Sequence, residues 1–253
     1  FDELPGEKKK LTEVQQEIAD DFIRSYDAGD RTPVLLHGIT GSGKTEVYME
    51  MIDAMLQRGK QCIVLIPEIA LTYQTLLRFY KRFGDAVSVM HSRLSAGERY
   101  DQMKRAKRGE VQVMIGPRSA LFTPFQKLGL IIIDEEHETS YKSDSMPKYH
   151  AREVAVHLAE MTDACVVMGS ATPSLEANYR AQQGIYKKYV LSERIGDAVL
   201  PEVQIVDMRQ ELAGGNSSIF SRHLETAIAD RLEKRQQVML FLNRRGISGF
   251  VSC

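Results

Sequence analysis

Val34-Leu35-Leu36-His37-Gly38-Ile39-Thr40-Gly41-Ser42-Gly43-Lys44-Thr45 is the stretch on which the reading of this chain turns. Val34 to Leu36 is a short, wholly apolar run, and residues 38–45 fit the pattern Gly-x-x-x-x-Gly-Lys-Ser/Thr. From about Lys44 to Gln57 apolar residues recur at helical spacing, with Val47, Met51 and Met55 on one face, and Arg58-Gly59-Lys60 closes the helix. A strand, a glycine turn and a helix in that order form the context in which the pattern cradles phosphate. Glycine lets backbone N–H groups approach phosphate oxygens, and the helix N-terminus adds partial positive charge. The expected nucleotide contacts are Gly38, Thr40, Gly41, Ser42, Gly43, Lys44 and Thr45, with Lys44 on the β- and γ-phosphates and the Thr45 hydroxyl on Mg²⁺.

Outward from this turn the same alternation continues. Val14, Ile18, Phe22 and Ile23 predict a helix that ends at Asp27-Ala28-Gly29-Asp30. Strands are expected at Cys62–Ile66, Ala86–Met90, Val111–Ile115, Leu128–Ile133, Ala164–Met168, Val203–Val206 and Val238–Leu242. Helices are expected near Thr72–Arg82, Ser95–Arg108 and Ser221–Arg235. Continuously apolar strands separated by helices predict an α/β fold, doubly wound, with a mainly parallel sheet covered on both faces. Gly196, Asp197 and Pro201 break the rhythm, so the expected division is a lead-in over 1–10, a first domain over 11–195, and a linker with the start of a second domain over 196–253. A chain that opens on Phe1 and closes on Cys253 reads as a piece of a longer protein.

Composition narrows the class. In 253 residues, 43% are hydrophobic and 26% charged, which excludes disordered, collagenous and coiled-coil chains. Lys and Arg number 33 against 34 Asp and Glu, so no whole-chain basic field advertises nucleic acid, and any such partner has to be argued from sites. Cys62, Cys165 and Cys253 lie far apart without a CxxC pair, which points away from a disulfide framework or an internal zinc site and towards a reducing cytoplasm. No apolar run reaches membrane-spanning length, so no membrane partner is expected.

The second chemical cluster follows Leu128–Ile133. That buried strand delivers Asp134-Glu135-Glu136-His137 at its carboxyl end, where open α/β sheets place their chemistry. Asp134 is expected to hold Mg²⁺ and Glu135 to orient and deprotonate an attacking water, which with Lys44 gives the catalytic set. Without the glycine turn, the same acidic cluster would read as a solvated loop.

The order of motifs carries a resemblance. The phosphate loop is followed by Pro67-Glu68-Ile69-Ala70-Leu71-Thr72, Gly116-Pro117-Arg118-Ser119-Ala120, Asp134-Glu135-Glu136-His137 and Gly169-Ser170-Ala171-Thr172-Pro173-Ser174. From about Leu11 onward this chain resembles the superfamily 2 helicases, and within them the bacterial replication-restart helicases, through details such as Val89-Met90-His91-Ser92 and Leu242-Asn243-Arg244-Arg245-Gly246. The resemblance implies a RecA-like motor domain with the beginning of a second, ATP and Mg²⁺ as cofactors, and a cytoplasmic bacterial setting. It also implies single-stranded and forked DNA, single-strand-binding protein and other primosome proteins as partners, and 3′-to-5′ movement.

The resemblance also assigns residues. Gln15 is expected to read the adenine base, and His137, Ser170 and Thr172 to couple hydrolysis to domain movement. Ser170–Ser174 equally reads as a helix start with Thr172 as its cap and Pro173 in the first position. Thr72, Arg118 and Ser119 are expected on the DNA backbone. Tyr141, Lys142, Lys148, Tyr149, His150 and Arg152 interleave aromatic and basic residues, and Tyr141 and Tyr149 are the expected DNA contacts there; the same tyrosines could simply pack on the next helix. Such motors take arginines from a second motor domain and zinc from a cysteine-rich insertion, and neither is present in this sequence. The expectation is therefore a chain that binds ATP but hydrolyses it poorly, since an arginine finger is worth roughly 10³- to 10⁵-fold. A duplex-DNA translocase or remodelling ATPase, and a nucleotide-switched scaffolding module, fit the same phosphate loop.

Overall fold

A computed structural model of the chain describes residues 10–194 and 202–241. It separates into two compact units, Phe1–Ala198 and Val199–Cys253.

The first unit is built on seven strands: β1 Val34–Gly38, β2 Gln61–Leu65, β3 Val87–Val89, β4 Val113–Gly116, β5 Leu128–Ile133, β6 Cys165–Ser170 and β7 Lys187–Leu191. They form one sheet in the order β3-β4-β2-β5-β6-β1-β7, and every neighbouring pair is parallel. Between them run α1 Glu13–Asp27, α2 Lys44–Gln57, α3 Tyr73–Phe83, α4 Ala96–Lys107, α5 Ala151–Thr162 and α6 Leu175–Gln182.

Alternation along each strand divides the core in two. Leu36, Val64, Ile115, Ile132 and Val167 meet Phe22 of α1, Met51 and Met55 of α2 and Phe79 of α3. Leu35, Ile63, Met114, Ile131 and Val166 point the other way and meet Ala106 of α4, Ala155 and Ala159 of α5 and Ala177 of α6. Both faces are covered, so β2, β4, β5 and β6 are buried at every position. Each of these large side chains contributes about 1.5–3 kcal/mol by leaving water. Unbroken apolar runs are the sequence's way of meeting that condition.

Strand β7 escapes the sequence reading. Its run Lys187-Lys188-Tyr189-Val190-Leu191 alternates between half-buried and exposed until the last residue, because it lies at the sheet edge beside β1. Edge strands carry lysine as protection against further pairing. Lys187 Nζ lies 2.6 Å from Asp21 Oδ2 on α1, and this hydrogen-bonded ammonium, with the Tyr189 hydroxyl, pulls the Asp21 carboxyl down to about 2.

The second unit contains two helices among its described residues, α7 Met208–Ala213 and α8 Arg222–Glu233. Helix α8 follows the predicted span closely, with Ser221 as its cap. The strand expected at Val203–Val206 does not form, nor do the described residues of the strand expected at Val238–Leu242, whose last residue lies outside the description. Ile205 is 94% exposed and Met239 95%. Apolar sequence makes a strand only where a neighbour accepts its ladder bonds and a second layer covers it. The motif Leu242–Gly246, and with it Arg244 and Arg245, also lies outside the described residues.

Candidate functional site

β1, β6 and β5 are adjacent in the sheet, so their carboxyl ends bring Gly38, Ser170 and Asp134 to one rim. From this rim the phosphate loop rises into α2. Gly41 and Gly43 hold φ of 83° and 82°, the left-handed region that glycine enters without a Cβ penalty. Gly38 leaves room for the loop to fold back on itself: a Cβ there would lie 2.6 Å from Ser42 Oγ and 2.9 Å from Lys44 Cγ. Lys44 Nζ donates to the Gly38 carbonyl at 2.8 Å and stands 3.9 Å from Glu135 Oε1. Its ammonium is therefore parked inside the loop and aimed at the carboxylate turn. The Ser42 hydroxyl is buried without a partner.

The loop borders a cleft of about 450 Å³ lined by Gln15, Thr40, Lys44, Thr45, Asp134 and Glu135, together with Lys10, Ile39, Gly41, Gly43, Glu46 and Arg78. The expected catalytic residues and, apart from Gly38 and Ser42, the expected phosphate-binding residues thus share one concavity. Asp134 accepts a hydrogen bond from the Tyr48 hydroxyl at 3.1 Å, and its carboxyl is pushed up to about 6 by burial and then by the neighbouring Glu135, against the pull of Lys44 and Tyr48. Tyr48 belongs to α2, is 1% exposed, and brings its hydroxyl end up against Gly169. Glu135 has φ of 47°, so a side chain occupies a backbone region normally left to glycine. His137 Nδ1 shares a hydrogen bond of 2.7 Å with Ser170 Oγ, which also accepts the Thr172 N–H at 3.0 Å. The carboxylate turn and the end of β6 are joined at that point.

Several expected roles change in the folded chain. Gln15, expected to read the base, is 2% exposed and spends both ends of its amide on protein: Nε2 donates to the Ser42 carbonyl at 2.8 Å, and Oε1 accepts the Thr12 N–H at 3.0 Å. It ties the start of α1 to the phosphate loop. Thr172, read as a possible helix cap, is not the cap of α6. Ser174 fills that place, accepting the Ala177 N–H at 3.2 Å.

The expected DNA contacts divide in a similar way. A second cleft, of about 520 Å³, is lined by Glu68, Ser92, Arg118, Ser119 and Lys142 among others. Ser119 is exposed there. Thr72 caps α3 through the Thr75 N–H at 3.2 Å. Arg118 Nη1 holds the carbonyls of Ser140 and Lys142 at 3.0 and 2.7 Å, which brackets Tyr141. Tyr141 is corrected outright: at 1% exposure its ring has no face for a base, and its hydroxyl donates to the carbonyls of Leu65 and Asp134 at 3.0 and 2.6 Å. Arg152 is buried as well. Tyr149 keeps a partly open ring, edge-on to Phe122 with centroids 5.5 Å apart. His150 caps α5 by accepting the Arg152 N–H, and burial holds its imidazole below its ordinary range.

Tyr48, Glu136, Ser174 and Gly169 are neighbours of the candidate site to which the sequence assigned no individual role, and Arg152, read with the basic and aromatic stretch, joins them through Glu136. Glu136 stood in the quoted acidic cluster, yet nothing in its type distinguishes a buried carboxylate from a solvated one. Among the described residues, no group of three or more His, Cys, Asp or Glu side chains is arranged to hold a metal. No described helix is long and apolar enough to cross a membrane.

Comparison with known proteins bears on the family and the fold. The chain is 50% identical over 243 residues to the replication restart protein PriA of Bacillus subtilis, a match that covers 96% of this chain and 30% of that protein. It is 52% identical to PriA of a Synechocystis strain, over 87% of this chain and 27% of the relative. The chain therefore spans less than a third of the length of these relatives. Among solved structures, RecG bound to a three-way DNA junction matches with a TM-score of 0.54 at 22% identity, over 75% of this chain and 24% of that one, which speaks for the fold. The model of the DEAD/DEAH box helicases matches residues 12–180, well over half of the sequence, and the chain belongs to that family.

Proposed function

We propose that this chain carries the ATP-hydrolysing motor core of a DNA helicase that acts in replication restart. One observation carries the reading: the phosphate loop, Asp134 and Glu135 line a single cleft, and the His137–Ser170 bond ties that cleft to the next strand end. The name and the identity of the PriA relatives supply the process.

The residues fit magnesium-bound ATP. Gly38, Gly41 and Gly43 leave the loop backbone open to phosphate, and the Thr45 hydroxyl and the Asp134 carboxylate are the hard oxygen donors that Mg²⁺ prefers. Bound there, the metal supplies charge neutralisation between the phosphates. Lys44 exchanges the Gly38 carbonyl for phosphate oxygens. Glu135, 3.9 Å from Lys44, orients the attacking water and takes its proton. His137, Ser170 and Thr172 pass the state of the cleft on to the DNA-bound surface. Ser119 and Arg118, in a groove that reads backbone rather than sequence, and Thr72 and Tyr149 outside it are the candidates for single-stranded DNA. Movement is 3′ to 5′ by likeness to such motors. The chain by itself binds ATP and turns it over slowly, because such motors take the arginines that close over the γ-phosphate from a second motor domain.

ATP hydrolysis by the intact protein, with and without single-stranded DNA and beside this chain alone, tests the reading. Strong stimulation by DNA is expected in the intact protein, and little turnover in the chain. Glu135→Gln should cut turnover by roughly 10²- to 10⁴-fold and leave nucleotide affinity in place, whereas Lys44→Ala should weaken binding itself. Unchanged turnover in Glu135→Gln would remove the catalytic base, and no response to any nucleic acid would remove the helicase.

A further inference from the structure

The Glu136 side chain is fully shielded from solvent, and that of Arg152 keeps only 7% of its exposure. Arg152 Nη1 reaches Glu136 Oε2 at 3.3 Å and Ser174 Oγ at 2.9 Å. Ser174 donates twice to the same carboxylate, through its backbone N–H to Oε1 at 2.6 Å and through its hydroxyl to Oε2 at 3.0 Å. The Glu136 N–H in turn donates to the Gly169 carbonyl at 3.0 Å. One carboxylate thus fastens the turn after β5 to the first turn of α5, to the cap of α6 and to the end of β6.

Stability alone does not call for this arrangement, because apolar residues of similar volume are often as stabilising as a buried ion pair. The ion pair fixes position. Glu135, immediately before it, keeps φ of 47°, a conformation that a non-glycine residue holds only when its surroundings over-determine it. Both of its neighbours are held: the Asp134 N–H donates to the Leu65 carbonyl at 2.9 Å, and Glu136 is gripped as described. With Glu136 released, the Glu135 backbone can relax to the right-handed region and swing its carboxylate away from Lys44.

We propose that Glu136, Arg152 and Ser174 are positioning residues for hydrolysis: they lock the left-handed backbone of Glu135 and so fix the direction of its carboxylate. The inference rests on Glu135 as the base of the proposed function. The three residues act through Glu135, so among the kinetic readouts their loss should register in turnover and not in nucleotide affinity, beside the loss of stability that breaking a buried pair brings.

Steady-state ATP hydrolysis by the intact protein on saturating single-stranded DNA tests this. Ser174→Ala and Arg152→Met should each lower kcat roughly 10- to 100-fold, as small misplacements of a reacting group do, with KM for ATP and nucleotide affinity held within about twofold. Ser174→Thr, which keeps the hydroxyl, should retain turnover. The paired change Glu136→Gln with Arg152→Met removes both charges and keeps an acceptor for the Ser174 N–H, so it should recover thermal stability while kcat stays low. Recovery of kcat together with stability would overturn the inference, as would a rise in KM at constant kcat. Glu135→Gln, measured alongside, separates the two readings. If it keeps full turnover, the proposed base fails; if it is inactive while the network variants turn over normally, only the positioning role fails.

Discussion

Two turns at the same rim of the sheet reach the left-handed backbone region by opposite means. The phosphate turn after β1 uses Gly41 and Gly43, at φ of 83° and 82°, where no side chain resists the conformation. The carboxylate turn after β5 puts Glu135 at φ of 47°, where a side chain does resist. In the first the backbone is the working part, so glycine suffices and little is needed to hold it. In the second the proposed chemistry calls for a carboxylate, so glycine would not serve. The surroundings must then hold the turn: Tyr141 grips the Asp134 carbonyl, Tyr48 grips its carboxylate, and Arg152 and Ser174 grip Glu136.

The largest effect is expected beneath the carboxylate turn. A Cβ at Gly169 would come within 1.5 Å of the Tyr48 hydroxyl, so Gly169→Ala should cost at least about 3 kcal/mol, the upper end for overpacking, and lower Tm in a thermal melt. An unchanged Tm would mean that the support under Asp134 is soft.

Next in size is Asp134→Asn. A carboxyl held near 6 in the fold and near 3.8 outside it favours folding when protonated. That advantage is complete below about pH 4 and is lost as pH rises through 6. Removing the charge should therefore stabilise the chain by roughly 1–3 kcal/mol at neutral pH while abolishing hydrolysis, and the gain should vanish in melts at pH 4. Asp21 supplies the opposite sign within the same molecule. Its carboxyl is depressed to about 2 by Lys187, so its contribution is present above pH 4 and is lost as pH falls towards 2.

In the phosphate turn, a Cβ at Gly41 meets nothing within 4 Å, so Gly41→Ala pays for the backbone alone, about 1–2 kcal/mol in denaturant titration. The smallest effect should come from the mirror experiment. Glu135→Gly relieves the strained backbone and the repulsion with Asp134, and should leave stability unchanged or raise it by up to about 1 kcal/mol while hydrolysis is lost. If Glu135→Gly destabilises the fold instead, the carboxylate turn is not strained and the contrast between the two turns collapses.

Both turns were legible in the sequence to the extent that local chemistry defines them. The phosphate loop could be read completely, because a strand, spaced glycines and a lysine at a helix start are all local features. The inner strands β1, β2, β4, β5 and β6 could be read because burial on both faces demands apolar runs, and the edge strand β3 because Val87 and Val89 flank a single serine. Strand β7 could not, since an edge position permits lysines, and the apolar stretch at Val203–Val206 showed the reverse error of a strand pattern without a partner. Around the carboxylates, the place after β5 singled out Asp134 and Glu135, and the fold sets both on the cleft beside Lys44. Tyr141 and Arg152 fell in a stretch expected on DNA, with packing of its tyrosines left open, because a tyrosine or an arginine in a polar loop looks the same in sequence whether it faces water or plugs a strand end.

The sequence by itself determined the fold class, the phosphate loop, the acidic turn and the order of motifs that places the chain among helicases. These depend on periodicity and on residues within a few positions of one another. Contacts across the fold settle which carboxylate is buried and paired, that the Gln15 amide is tied to the phosphate loop, that Tyr48 lies beneath Gly169, and that Glu135 stands in a left-handed conformation. Those facts belong to contacts between residues as far apart as Tyr48 and Asp134, and a one-dimensional pattern carries no information about which distant groups will share a buried space.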